Sequence, residues 1–158
     1  MTLNEPEDIR RAFACFATGV AVATTVDADG YRVGMTISSF NSVSVDPPLV
    51  LWSIANDSMS FDAFAATDYF AVNVLAEHQQ EFSDRFAARG GDKFAGLDCT
   101  EGRYGSPILP EFAACFECRC EYRYAGGDHV ILVGRVLDFE DRELDPLIFY
   151  GGRFHATK

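Results

Sequence analysis

Two runs of strand-forming residues, Phe112 to Tyr124 and His129 to Phe139, are separated only by Ala125-Gly126-Gly127-Asp128. A connection that short can only turn the second run back along the first, so the pair must be antiparallel. The same pattern recurs earlier, where Val20 to Val26 and Tyr31 to Met35 flank Asp27-Ala28-Asp29-Gly30, whose Asp-Gly ending is a hairpin signal. Ser42 to Val45 alternates and breaks at Asp46-Pro47-Pro48, and the continuous apolar run Leu49 to Ile54 then reads as a buried strand. With Tyr69 to Leu75 and a closing segment Leu147 to Phe154, the expectation is about seven strands in an antiparallel barrel.

Helices flank these strands. Ile9, Phe13 and Phe16 recur at helical spacing after Pro6, predicting a short amphipathic helix that packs over the core and ends by Gly19. Asn56-Asp57-Ser58 offers caps for a second helix reaching about Ala66, with Asp57 assigned to capping, and Glu77 to Arg89 reads as a third that stops at Gly90-Gly91. Asp92 to Pro110, punctuated by Gly and Pro, reads as a long loop, and loops of that length usually carry function. At 158 residues the chain suits one domain spanning residues 1–158.

The balance of charge narrows the partners. The formal net charge is -11, and no basic run exceeds the pair Arg10-Arg11, so phosphate-backbone neutralisation has little to work with and nucleic acid is not an expected partner. The longest apolar stretch, Pro47 to Trp52, is far shorter than a membrane span, and Met1 to Pro6 is too polar for a signal peptide. A cytoplasmic location is the default expectation. Five cysteines, an odd number, fit reduced thiols better than a disulfide framework. Cys115, Cys118 and Cys120 lack a second CxxC or paired histidines and sit in an apolar strand, so they read as small core hydrophobes rather than metal ligands.

The segment Gly34-Met35-Thr36-Ile37-Ser38-Ser39-Phe40, followed by Ser42-Val43-Ser44 and Asp46-Pro47-Pro48-Leu49-Val50, resembles the core signature of the short-chain flavin reductase family. Further matches run in the family's order: Phe70 to Leu75, Asp92-Lys93-Phe94, Gly105-Ser106-Pro107, Gly127-Asp128-His129 and Pro146 to Gly152. The resemblance covers nearly the whole chain. It implies a mainly β, antiparallel Greek-key split β-barrel with flanking helices, the FMN-binding split barrel. It also implies a homodimer that reduces FMN or FAD with NADH or NADPH, often to supply a partner monooxygenase.

Several residues could serve such a ligand. Thr36, Ile37, Ser38 and Ser39 fall between two strands, and the small hydroxyls of Thr36, Ser38 and Ser39 suit the polar edge of an isoalloxazine ring; ordinary turn hydrogen bonding is the other account of them. Ser53 at a strand end and Ser58 and Ser60 at a helix start could bring hydroxyls and backbone N–H groups to a phosphate. Arg85, Arg89 and Lys93 are the anion candidates, against the alternative of a solvated helix face, and Phe94 could pack on the ring. The resemblance associates His129 with the nicotinamide, although a lone His at a strand start is otherwise a hydrogen-bonded surface residue. Tyr150 with Gly151-Gly152 offers an aromatic wall beside flexible backbone, or else a core tyrosine at a turn.

Hydride transfer between cofactors needs stacking and orientation rather than a nucleophile and base, consistent with a sequence that has no GxSxG. The sequence also lacks the GxGxxG of a Rossmann site, so the nicotinamide is expected in a shallow barrel-side cleft. A flavin-binding or storage protein on the same barrel, without turnover of nicotinamide, is the competing expectation. A pyridoxamine-phosphate-oxidase-like enzyme would need a denser basic set than the 13 Lys and Arg here.

Overall fold

The computed structural model describes residues 5–158. Helix α1 (Pro6–Phe13) leads into strands β1 (Thr18–Gly19), β2 (Ala21–Val26), β3 (Arg32–Ile37), β4 (Asn41–Val45) and β5 (Pro48–Ala55). Then come α2 (Phe61–Ala66), β6 (Tyr69–Val74), α3 (Gln80–Ala87), β7 (Thr100–Glu101) and β8 (Pro107–Ile108). Strands β9 (Ala114–Gly126), β10 (His129–Asp141), β11 (Ile148–Tyr150) and β12 (Arg153–His155) complete the chain.

Seven strands form one sheet in the order β3-β2-β6-β9-β10-β5-β4, with every neighbouring pair antiparallel. Both hairpins read from the sequence are present, β2 with β3 and β9 with β10. Strands β3 and β4 lie at opposite edges of this sheet, yet only Ser38, Ser39 and Phe40 join them. Four Cα steps reach at most about 14 Å, so the sheet must curl until its two edges nearly meet. Because they do not pair, the result is a barrel split along one seam.

Ser39 spans part of that seam. The β4–β5 register, with Asn41 opposite Leu51, would place residue 39 opposite Ser53. Instead of continuing the ladder, the Ser39 hydroxyl accepts a hydrogen bond from the Ser53 N–H (3.0 Å) and donates one to the Ser53 carbonyl (3.2 Å).

The barrel interior is built on Trp52, whose ring meets Phe64 and Phe70 edge to face at 4.8 and 5.8 Å. Gly134 on β10 makes room for this packing, since a Cβ there would fall 2.5 Å from the Phe70 ring. A second apolar cluster, including Val20, Val22, Leu75, Phe86, Phe94 and Leu147, fills the space outside β2. Between the layers, buried Asn73 ties four segments together. Its Nδ2 donates to the Val22 carbonyl and the Thr24 hydroxyl, and its Oδ1 accepts from the Leu109 N–H (3.0 Å) and the Cys115 thiol (3.7 Å).

Several expectations are corrected. The main sheet has seven strands, but the closing segment Leu147 to Phe154, counted with the barrel, lies outside it, and there are five further short strands: β1, β11 and β12 form a second sheet, and β7 with β8 forms a hairpin inside the segment read as loop. The alternating burial of β5, with Val50, Trp52 and Ile54 inward, replaces the continuous burial expected of its apolar run. Continuous burial belongs to β2, which has packing on both faces and uses the small residues Ala21, Ala23, Thr24 and Thr25. Helix α1 does not cover the core. None of its residues is buried, and Ile9, Phe13 and Phe16 are 40%, 69% and 79% exposed. Thr36 and Ile37 lie inside β3 rather than between strands, because that strand runs two residues longer than its apolar pattern suggested.

Among the described residues, no helix is long and apolar enough to cross a membrane. All five cysteines are free. Cys115 and Cys118 are core residues; burial, first among the causes, raises the Cys115 thiol to about 12 and the Cys118 thiol further still.

Candidate functional site

Three segments distant in sequence converge on one side of the barrel. Strand β3 contributes Met35 and Thr36, the β5–α2 connection contributes Ala55 and Asp57 to Ser60, and the end of α3 with its following loop contributes Phe86 to Gly90 and Lys93. Together they line a cleft of about 280 Å³.

Helix α3 can lie close to β3 because Gly34 has no side chain: a Cβ there would sit 2.8 Å from the Phe86 ring and 2.9 Å from that of Phe94. The Thr36 hydroxyl donates to the Ser83 carbonyl at 2.6 Å, fixing the contact. Its lone pairs remain free to accept. The loop beyond the helix is held by Arg85, whose Nε donates to the Lys93 carbonyl at 2.6 Å while a second nitrogen donates to Ala95. Arg85 is therefore fastened to backbone carbonyls, and Lys93 and Arg89 carry the positive charge in the cleft.

Lys93 Nζ donates to the Phe86 carbonyl (3.0 Å) near the end of α3 and to the Gly34 carbonyl (3.3 Å). Cations suit a helix C-terminus, and an ammonium has a third donor left over for a ligand. Partial burial pulls its pKa below the usual lysine value. Arg89 is exposed and forms neither an ion pair nor a side-chain hydrogen bond among the described residues. At the other wall, the Ser58 hydroxyl accepts from the Ser60 N–H (3.2 Å). Asp57 lines the cleft instead of capping α2, which starts at Phe61 behind Ser60 without any side-chain cap. Its carboxylate would repel a phosphate placed beside it, which favours the Arg89–Lys93 end for an anion.

Of the residues predicted for a ligand, the cleft gathers Thr36, Ser58, Ser60 and Lys93, together with Arg89. Ile37 is 5% exposed with its side chain in the core, so only its backbone could meet a ligand. Ser38 is exposed at the seam, and Ser39 with Ser53 forms the bridge described above. Phe94 is a core residue against Phe86, ring to ring at 5.0 Å. Tyr150 and Gly152 belong to the small β11–β12 hairpin, where Tyr150 is 48% exposed and faces His155, so it is neither a wall of this cleft nor a core tyrosine.

His129 pairs in register with Ala55, one strand from the cleft wall. Its Nδ1 lies 2.7 Å from an Asp128 carboxylate oxygen, leaving Nε2 for another partner. That hydrogen bond, the largest of several causes, lowers the Asp128 pKa. The cleft also uses Met35, which lies in the signature segment but is not among the predicted ligand contacts, and Met59, Ala87 and Ala88, which no motif marked; apolar and small residues in these positions carry no signal apart from the shape they make.

The donor set agrees with the ligand implied by the sequence. Apolar walls from Met35 and Met59 suit a flat ring, hydroxyls at Thr36, Ser58 and Ser60 suit its polar edge, and an unpaired guanidinium beside an ammonium suits a phosphate.

Comparison with known proteins gives the family. The chain is 46% identical over 145 residues to the FMN reductase (NADH) SmoA of Agrobacterium fabrum, covering 92% of this chain and 82% of that one. It is 44% identical over 151 residues to the reductase subunit HsaB of a flavin-dependent monooxygenase from Rhodococcus jostii, covering 95% of this chain and 77% of that one. A solved structure of the NADH:FAD oxidoreductase SgcE6 of Streptomyces globisporus, in complex with NAD and FAD fragments, superposes with a TM-score of 0.90 at 36% identity over 98% of this chain and 96% of that one. The chain spans only half the length of a Rhizobium meliloti relative to which it is 43% identical over 154 residues, 98% of this chain. The family model described as "Flavin reductase like domain" matches residues 13–158, and the chain belongs to that family.

Proposed function

We propose that this chain is an NAD(P)H-dependent flavin reductase that passes hydride from a nicotinamide to FMN or FAD and supplies reduced flavin to a partner monooxygenase. The observation that carries the proposal is the cleft between β3 and the end of α3, which Arg89 and Lys93 line together with Ser58, Ser60 and apolar residues.

In this reading Lys93 and Arg89 hold the flavin phosphate, and Ser58 and Ser60 bind beside it. Thr36, Ser38 and Ser39 with the backbone of Ile37 face the polar edge of the ring, and Ser53 fixes Ser39. Arg85 positions Lys93 through the loop backbone, Phe94 supports the floor, and Tyr150 with Gly152 meets a ligand only from a second subunit. A bound flavin would supply the hydride acceptor. The protein's part is orientation, since holding donor and acceptor in contact removes most of the entropic barrier to transfer. His129, with Nδ1 held by Asp128, orients the nicotinamide through Nε2. The exposed apolar residues Phe13, Phe16, Val45 and Phe139 support a homodimer, and free thiols at all five cysteines suit the cytoplasm. Residues 1–158 act as one domain in this proposal.

The test is to mix purified protein with FMN, FAD or riboflavin and with NADH or NADPH, and to follow loss of nicotinamide absorbance. Flavin uptake without nicotinamide oxidation would identify a flavin-binding protein instead. His129→Ala is expected to lower the rate about tenfold or more while flavin affinity stays unchanged; an unchanged rate would remove His129 from the mechanism.

A further inference from the structure

We infer that a second cleft, adjoining the proposed flavin site and walled by Tyr31, Arg32, Gly90 and Gly91, takes the adenylate half of a flavin dinucleotide, so that this chain binds FAD in preference to FMN. The inference rests on the flavin reading above and adds which flavin the site selects.

The two clefts are neighbours, with Met59, Ser60, Gly90 and Lys93 lining both. The first, at about 280 Å³, lies just below the roughly 300–1,000 Å³ typical of ligand pockets. The second adds about 460 Å³ on the phosphate side, beyond Lys93. A ligand whose phosphate sits at Lys93 and which continues past it would enter the second cleft, as a dinucleotide does and a mononucleotide does not.

The chemistry of that cleft suits an adenosine phosphate. Arg32 has neither an ion-pair partner nor a side-chain hydrogen bond among the described residues, in a chain with 24 acidic and 13 basic residues. An unpaired guanidinium against such an excess of carboxylates is a group left open for an anion. The amides of Gly90 and Gly91 have no hydrogen-bond partner either, and their φ values of 76° each are accessible because neither has a side chain. Tyr31 is 72% exposed, while its backbone is fixed by hydrogen bonds on both sides to Asp27. An exposed aromatic ring carried on such a backbone, beside a cationic group, is a platform for stacking a base. Asp92 is the opposing charge in this cleft, but its Oδ1 accepts the Phe94 N–H at 3.1 Å, which engages it within its own loop.

Equilibrium titration of the whole protein with FMN, FAD and NADPH, read by calorimetry, tests the assignment without turnover. FAD is expected to bind about tenfold more tightly than FMN, and Arg32→Ala to remove most of that advantage while leaving FMN affinity unchanged. Unchanged FMN binding also shows that the variant is folded. Arg32→Lys should retain part of the preference and Tyr31→Ala should lower FAD affinity several-fold. Equal affinity for the two flavins in the parent protein, or an Arg32→Ala variant weakened equally for both, overturns the inference and leaves the flavin site standing. Loss of NADPH binding with FAD binding intact overturns it too, by assigning the adenosine phosphate to the nicotinamide. Failure of both flavins to bind would overturn the site itself and the inference with it.

Discussion

The surroundings of Asn73 and the cleft beyond β3 are both rich in polar groups, yet they treat them in opposite ways. Asn73 is fully buried, and both ends of its amide are engaged, with Val22 and Thr24 on one side and Leu109 and Cys115 on the other. In the cleft, Arg89 and the amides of Gly90 and Gly91 have no partner among the described residues, and Lys93 keeps one donor in reserve. A polar group satisfied internally serves the fold, because leaving it unmade would cost its full desolvation. Polar groups left open at a concave surface are free to meet a ligand.

The sharpest way to break this contrast is to truncate Asn73. Asn73→Ala strands the buried Leu109 N–H and leaves a void, so urea unfolding should show a loss of about 3 kcal/mol, with flavin affinity per folded molecule unchanged. A loss confined to binding would invert the roles assigned to the two regions. Arg89→Ala should do the reverse. Flavin phosphate affinity is expected to fall about tenfold, or roughly 1.4 kcal/mol, with stability altered by less than about 0.5 kcal/mol as for other exposed sites. Riboflavin, which lacks the phosphate, should bind parent and variant alike.

Titration separates the regions by a smaller margin. The folded Cys115 thiol is raised from 9.0 to about 12, so it contributes stability that is complete below pH 9 and is lost as pH rises toward 12. Unfolding free energy should therefore decline above pH 9 by at most about 1.4 kcal/mol per pH unit from this thiol, and more shallowly in Cys115→Ala relative to its own value at neutral pH. Lys93 runs the other way. Its lowered pKa means that burying the charged ammonium costs stability below the folded value, a cost relieved as pH climbs to 10.5. Anion affinity at the cleft should fall over that same interval, starting below the ordinary lysine range.

Much of the fold was legible because hairpins are local. The Asp27 to Gly30 and Ala125 to Asp128 turns bring sequence neighbours together, and both hairpins stand where their turn residues placed them. Helix α1 shows the limit of periodicity: Ile9, Phe13 and Phe16 repeat at helical spacing, but the pattern does not say what the apolar face meets, and this chain leaves it exposed. The site was partly legible for a related reason. Thr36 and Lys93 could be named from motifs and Ser58 and Ser60 from their place at a helix start, whereas the hydroxyl of Ser39 and the guanidinium of Arg85 turned out to hold backbone in place. A residue type advertises hydrogen-bonding capacity, and only its neighbours decide whether that capacity is already used.

From its sequence alone the chain was committed to antiparallel strands, a thiol-bearing core and a net negative charge, since short turns, apolar runs and net charge act over a few residues or over the whole molecule at once. Tertiary structure decided which side chains share a cleft. The curling of the sheet until β3 and β4 almost meet, and the approach of α3 over Gly34, place Thr36, Ser58 and Lys93 around one space. Those contacts join segments more than twenty residues apart, and no local preference encodes them; they follow from the packing that buries Trp52 and Phe86.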